Sequence, residues 1–248
     1  MLRGKNVIVT GSNRGIGKAI MEEFARCGCN IWACARKENS EFEEHIERVS
    51  KEYGVWIKPI YFDLASEDAI KDGFKQIHGD KLPVDILANN AGIARSGSMF
   101  VRTSMRDLRD IYEVNVFAMF TLTQLVLRLM MRQKSGSIVN VASVTGLEAE
   151  HHGELAYGTS KAAVISFTRI LAAEMAEFGI RVNAVAPGYT DTDMTIPGRK
   201  LINENILPNI AMGRLGQPGE IAKVVRFLAS EDASFINGEI VKADGGKR

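Results

Sequence analysis

Residues 6–17 read N-V-I-V-T-G-S-N-R-G-I-G, and the fold turns on how this stretch is understood. Asn6–Thr10 has apolar residues on both alternations, as in a parallel strand covered on two faces. A turn spaced G-x-x-x-G-x-G follows at Gly11–Gly17, and a helical pattern begins at Gly15. Glycines there let backbone amides approach an anionic pyrophosphate at a helix N-terminus, where the dipole also favours negative charge. Gly11, Ser12, Asn13, Arg14, Gly15, Ile16 and Gly17 would line such a cradle. A glycine-rich turn after a strand is also common as a tight turn and nothing more, so its context decides.

That context is a strand-then-helix unit repeated almost from end to end. Strands are expected at Asn6–Thr10, Asn30–Ala35, Ile57–Phe62, Asp85–Ala88, Ser137–Val141, Arg181–Ala186 and Glu239–Lys242. Helices are expected at about Gly15–Cys27, Glu41–Tyr53, Glu67–His78, Met105–Gln133, Tyr157–Glu177 and Glu220–Ala229. The rhythm predicts an α/β fold, a single Rossmann-type domain over residues 1–248. Its doubly wound parallel sheet has about seven strands, helices on both faces, and ligands at the carboxyl ends of the strands. Residues 189–216 break the rhythm with Pro197, Gly198 and Pro208 around a short amphipathic piece, the pattern of a substrate lid.

Composition narrows the function classes. The 248 residues are 46% hydrophobic and 25% charged, as in an ordinary globular protein. A net charge of +1 offers no global field for nucleic acid or a membrane surface, and no basic stripe carries interleaved aromatics. Cys27, Cys29 and Cys34 are odd in number and lack metal-like spacing, so they read as buried free thiols of a reducing cytosol. The N-terminus runs straight into a strand without an apolar leader, and no apolar run is expected to reach the length of a membrane span. A cytoplasmic protein is expected.

The second strand ends in A-C-A-R-K, with no acid until Glu38, where an NAD site usually has a carboxylate for the ribose hydroxyls. Arg36 and Lys37, with Arg14, can surround a 2′-phosphate instead, which favours NADP(H); a solvated basic turn is the bland alternative. Asp63, with Leu64 beside it, is placed to meet the adenine amino group, or simply to cap a helix. Asn89, Asn90, Ala91 and Gly92 can make a tight turn near a cofactor ribose, or a strand-end turn that steadies the sheet. Asn115 is a polar amide among apolar neighbours and needs partners; it can kink its helix and bind water near the active site, or simply be a satisfied core amide.

Residues 142–161 read A-S-V-T-G-L-E-A-E-H-H-G-E-L-A-Y-G-T-S-K. Tyr157 and Lys161, four apart, share one face of a helix. An ammonium beside a phenol lowers the phenol pKa from about 10, which suits a proton donor to an alkoxide. Ser143, from a strand end, can steady the same oxygen.

Together these features resemble the classical short-chain dehydrogenase/reductase family over essentially the full chain. The likeness rests on T-G-x-x-x-G-x-G at Thr10–Gly17, N-N-A-G at Asn89–Gly92, Asn115, Ser143 and Y-x-x-x-K at Tyr157–Lys161. It continues through P-G-Y-T-D-T at Pro187–Thr192 and I-N-G-E-I-V-K-A-D-G-G at Ile236–Gly246. The resemblance implies Tyr157 as general acid/base and Lys161 as the group that lowers its pKa while binding the nicotinamide ribose. Ser143 would polarise the substrate carbonyl, and Asn115 would hold a relay water. Pro187, Gly188, Thr190 and Thr192 would contact the nicotinamide and diphosphate. It also implies a homotetramer built on the long central helices, where Val126, Leu127, Leu129, Met130, Val164, Phe167, Ile170 and Leu171 read as surplus apolar surface.

Within the family the sequence is most similar to bacterial 3-oxoacyl-(acyl-carrier-protein) reductases, through G-R-L-G-Q-P-G-E-I-A at Gly213–Ala222 and the flanking motifs. Acyl carrier protein is therefore an expected partner. Lys134, beside Arg132, matches one basic docking position, whereas Phe178 stands where the other is usually basic. The loop after Ser143 is one residue longer than usual and acidic from Glu148 to Glu154. Glu150, His151 and Tyr189 are candidate substrate contacts, alongside Ser143 and Tyr157, which leaves a polar carbohydrate-like ketone as the alternative substrate. No metal is expected, since adjacent histidines in a turn do not converge on one ion. A non-enzymatic NADP-binding sensor would lack the tyrosine or lysine that this chain retains.

Overall fold

The computed structural model describes residues 2–94, 99–148, 153–195, 204 and 207–246. Seven parallel strands form one sheet, in the order β3-β2-β1-β4-β5-β6-β7. They are β1 Asn6–Thr10, β2 Asn30–Ala35, β3 Ile57–Tyr61, β4 Ile86–Asn89, β5 Gly136–Val141, β6 Ile180–Pro187 and β7 Ile240–Ala243. The helices are α1 Gly15–Arg26, α2 Ser40–Tyr53, α3 Glu67–Gly79, α4 Met105–Tyr112, α5 Ala118–Gln133, α6 Leu155–Met175 and α7 Pro218–Ala229.

Two alternating side-chain sets explain the layers. Val7, Val9, Ile31, Ala33, Ile86 and Val139 face α1, α2 and α7, and form one core with Ile20, Phe24, Ile46 and Val225. Ile8, Trp32, Cys34, Leu87, Ile138 and Val182 face the other way, onto Leu122, Val126, Met130 and Leu171. Strands clad on both faces have no polar alternation, which is why they read as near-continuous apolar runs. The chain leaves β1 in one direction for β2 and β3 and in the other for β4. A crevice therefore opens where β1 and β4 lie side by side, at their carboxyl ends.

The stretch expected as one helix, Met105–Gln133, is interrupted. Between α4 and α5 the five residues Glu113–Phe117 form a wide π turn. By length and composition this whole stretch could cross a membrane, which corrects the expectation that no run reaches that length. Half of its most apolar window is buried inside the fold, because α5 faces the sheet. The apolar surplus expected on the central helices is also smaller than its sequence suggests. Val126, Leu127, Met130, Val164 and Leu171 are consumed by this chain's own core, and Ile170 is the exposed member at 58%. All three cysteines are free; Cys29 and Cys34 are buried, and burial pushes the Cys29 thiol up to about 12.

Candidate active site

Each expected site residue among those described lies at or beyond the carboxyl edge of the sheet. The glycine loop leaves β1 with Gly11 and Gly15 at φ of 67° and 55°, a left-handed backbone that glycine adopts without strain. At Gly17 the need is closeness, since a Cβ there would lie 2.0 Å from the Gly11 carbonyl oxygen. Arg14 precedes α1 and its side chain makes no cap hydrogen bond, so the first-turn amides are left for a ligand. Ile16 is half-buried and Asn13 exposed. Ser12 belongs to the frame instead: it is fully buried, and both its amide and its hydroxyl donate to the Cys34 carbonyl, each at 3.1 Å.

That tie sets the loop against the end of β2, where Arg36 and Lys37 stand exposed. Arg14 is exposed too, and its nearest carboxylate partner is Asp193 at 3.9 Å. Arg14, Arg36 and Lys37 are thus three exposed basic side chains just beyond the carboxyl ends of β1 and β2. At the end of β3, Asp63 accepts from the Ala65 amide at 2.9 Å in a local turn, and Leu64 is half-buried beside it. Ser66, not Asp63, caps α3.

The turn after β4 is stapled to β1 by Asn90, part of the expected turn, and by Thr10, which carried no expected site role. The Thr10 hydroxyl accepts from the amides of Asn90 and Ala91 at 2.9 and 3.0 Å. The Asn90 carboxamide donates back to the Thr10 carbonyl at 2.9 Å. Asn89 turns inward and donates to Thr123 Oγ1 and Asn140 Oδ1, both at 2.9 Å. Asn140 passes the chain on to Thr168 at 2.9 Å, a buried polar row from α5 through β4 and β5 to α6. Asn89 therefore supports the crevice, and its side chain is not offered to a ribose.

Ser143 follows β5, and its hydroxyl hydrogen-bonds with Tyr157 of α6. Two glycines make that meeting close. A Cβ on Gly146 would lie 2.7 Å from the Lys161 carbonyl carbon, and one on Gly158 would lie 3.0 Å from the Thr145 carbonyl oxygen. The turn carrying Ser143 is thus pressed backbone-to-backbone onto α6. Lys161 is buried and donates to the Val141 carbonyl at 2.8 Å, with its Nζ 5.8 Å from the centre of the Tyr157 ring. Burial lowers the Lys161 pKa to about 8. The expected depression of the Tyr157 pKa is not found. Burial pushes it up, the Ser143 hydrogen bond opposes this, and the charge of Glu154 adds to the rise.

Asn115 sits in the π turn, where the helix departs from regular α geometry. Its Oδ1 accepts from the Ile93 amide at 2.8 Å, and its Nδ2 donates to the Ile93 carbonyl at 2.9 Å and to Ser160 Oγ at 3.1 Å. Both polar atoms of the carboxamide thus have protein partners.

At the end of β6, Pro187 is buried, and the following Gly188 packs against Asp244, where a Cβ would lie 2.7 Å away. Thr192 reaches over the glycine loop, 3.5 Å from the position of a Cβ on Gly15. Thr190 is buried and pairs with Gly216. Tyr189 packs with Leu207, Ile210 and Leu215, the base of the expected lid. The middle of that lid and the loop residues Glu150 and His151 lie outside the described residues. Among the described residues, no cluster of three His, Cys, Asp or Glu side chains could hold a metal.

The matching family description is enoyl-(acyl carrier protein) reductase, over residues 11–248. A 3-oxoacyl-[acyl-carrier-protein] reductase of Aquifex aeolicus is 40% identical over 245 residues, spanning 99% of this chain and 98% of its own. This chain belongs to the short-chain dehydrogenase/reductase family. As a member of that family it is an oxidoreductase of CH–OH and C=O groups that uses a nicotinamide cofactor. Among solved family structures, gox2181 superposes with a TM-score of 0.94 at 34% identity, over 99% of this chain and 96% of its own. An Agrobacterium tumefaciens protein provisionally assigned as a 2-deoxy-D-gluconate 3-dehydrogenase, with NADP bound, gives 0.88 at 33% identity over the same shares.

Proposed function

We propose that this dehydrogenase/reductase uses NADP(H) to reduce 3-oxoacyl thioesters, as the name of its Aquifex relative describes for that protein. The observation that carries the reading is the Ser143–Tyr157 hydroxyl pair beside buried Lys161, at the crevice mouth. Two hydroxyls aimed at one point suit an oxygen that gains negative charge and then a proton, so a carbonyl is reduced rather than a carbon–carbon double bond.

The residues present fit the dinucleotide: the positive-φ glycines, the open first turn of α1 and the exposed Arg14, Arg36 and Lys37 form a cradle for phosphates. When bound, the cofactor supplies the hydride. Ser143 holds the carbonyl oxygen and Tyr157 delivers the proton to it. A protonated Lys161 in contact with the crevice favours the phenolate that remains. The Asn115 turn offers main-chain groups through which a water can return the proton to Tyr157. Gly92 allows this approach, since a Cβ there would lie 3.4 Å from Lys161 Nζ and 3.2 Å from Asn115 Oδ1. Pro187, Gly188, Thr190 and Thr192 would flank the nicotinamide and diphosphate.

The partner in this reading is acyl carrier protein. The two positions implicated in docking are neighbours, because Gly179, next to Phe178, abuts the Lys134 carbonyl, 2.6 Å from a Cβ position. Exposed Arg132 and Lys134 supply the basic charge for an acidic carrier. A cytoplasmic homotetramer completes the reading, with exposed Phe117 and Ile170 on the central helices as its apolar contacts.

The acidic loop favours a second reading, a polar carbohydrate-like ketone, and the Agrobacterium neighbour's name describes a substrate of that class for that protein. NADPH oxidation against acetoacetyl-carrier protein, acetoacetyl-CoA and a panel of keto-sugars separates the two, with NADH in parallel. Turnover of the thioesters is expected. Silence on them with turnover of a keto-sugar would replace the first reading by the second. Tyr157→Phe should abolish turnover and retain NADPH binding; undiminished turnover would remove Tyr157 from the mechanism.

A further inference from the structure

We propose that Ser160 is a positioning residue for the reaction, locking the Asn115 turn to the Tyr157–Lys161 face of α6. The inference rests on the reading of Tyr157 and Lys161 as the reacting couple. Ser160 is fully buried. Its hydroxyl donates to the Tyr157 carbonyl at 2.7 Å and accepts from Asn115 Nδ2 at 3.1 Å. A serine hydroxyl has one proton and spare lone pairs, so both bonds form together without conflict.

These bonds close a path between otherwise separate elements. Ile93, just beyond the Asn89–Gly92 turn, holds both ends of the Asn115 carboxamide. Asn115 then reaches Ser160, and Ser160 reaches back one turn to Tyr157. Lys161 is the next residue, fixed by Val141. Tyr157 and Lys161 are thereby referenced to the cofactor-side turn and to the π turn at once.

Alanine at 160 would leave one Asn115 N–H without its partner in a site only 2% exposed. An unsatisfied buried donor is costly, so the carboxamide must turn or recruit water. A π turn is the less favoured local helix and relaxes when its side-chain anchor is lost. Displacement of the Asn115 main chain would disturb proton return to Tyr157, while the surfaces that bind cofactor and substrate stay in place. The effect belongs in kcat.

The test compares wild type, Ser160→Ala, Ser160→Thr and Tyr157→Phe on the ketone of the panel that turns over best. It records kcat, KM, the pH profile of kcat, NADPH affinity by fluorescence and the melting temperature. Ser160→Ala should lower kcat about tenfold, a part of what general acid–base catalysis contributes. KM and NADPH affinity should change by less than about twofold, and the pH profile should be displaced. Ser160→Thr, which keeps the hydroxyl, should recover most of kcat. Wild-type kcat and pH profile in Ser160→Ala overturn the proposal, whatever the melting temperature does. So does a kcat loss matched by an equal loss of NADPH affinity, which is general disturbance. Full turnover by Tyr157→Phe would instead sink the catalytic reading beneath it, and silence on acyl thioesters alone bears only on substrate choice.

Discussion

Replacing Lys161 by methionine should make the folded protein more stable at neutral pH while abolishing turnover. Burial draws the Lys161 pKa from 10.5 down to about 8. At 1.36 kcal/mol per unit, that shift corresponds to about 3 kcal/mol held against the charged form. The folded-state value lies below the unfolded one, so the unfolded chain binds more protons between pH 8 and 10.5, and stability rises with pH across that window. Below pH 8 the full penalty acts, and above 10.5 none remains. Methionine fills a similar volume without the charge but forfeits the 2.8 Å hydrogen bond to the Val141 carbonyl, a loss of about 1 kcal/mol at every pH. The variant should therefore be about 2 kcal/mol more stable than wild type at pH 7, with the difference falling to about zero near pH 10. Urea unfolding of both proteins at pH 7, 8.5 and 10, at one protein concentration and ionic strength, measures this. Parallel stability curves for the two proteins would refute the reasoning, because the difference must fall by about 2 kcal/mol between pH 7 and pH 10.

Gly146→Ala places a methyl 2.7 Å from the Lys161 carbonyl carbon and 2.8 Å from the Ala162 nitrogen, backbone that cannot step aside. It should cost about 1–3 kcal/mol of stability and a larger share of turnover, read by melting temperature and kcat. Arg36→Asp should weaken NADPH and favour NADH, so the ratio of kcat/KM for the two cofactors should fall at least about tenfold, the equivalent of one charge-assisted contact. Unchanged NADPH affinity would contradict the basic cluster. Lys242 bridges Glu148 of the loop after Ser143 at 3.0 Å and Asp244, beneath Gly188, at 3.1 Å. Lys242→Gln should raise the KM of the keto substrate with less effect on kcat, and its KM should vary less with salt than that of the wild type.

The parallel sheet was legible because its strands are clad on both sides, and Val7 to Val9 or Ile138 to Val141 carry that directly in their residue types. Strand ends moved by one residue or so, as at β4 and β7, where nothing in side-chain chemistry marks the last ladder bond. The catalytic side chains were legible through spacing. What those side chains bond to was not. Ser12 and Asn89 carry the polarity of ligand contacts, yet spend it on Cys34, Thr123 and Asn140. Ser160 and Gly146 lie inside quoted motifs, but their importance depends on what packs across from them, which spacing within one helix or one turn does not encode. The direction of the Tyr157 pKa differs from the expectation for a related reason: a neighbour four residues on is visible in sequence, and the burial that raises the pKa is not. Leu127 and Met130 looked surplus because one helix was weighed against one sheet face, whereas α3 also packs on α5 and Ile70 and Ile77 join the same core.

The five-residue wide turn at Glu113–Phe117 has a consequence for how this chain tolerates length changes. A π turn is in effect one extra residue spliced into an α-helix. Each α-helical residue advances the side-chain direction by about 100°, so the splice gives α4 and α5 different angular phases. Asn115 points inward because of that offset. Deleting one residue within 113–117 should yield a straighter, more regular helix and at the same time rotate α4 away from α6 by roughly a quarter turn or more. Insertions are usually judged by the side chain they add. Here the information lies in the count: a chain one residue shorter, with every named side chain still present, would fold into a neater helix around a cleft that no longer closes its hydrogen-bonded circuit.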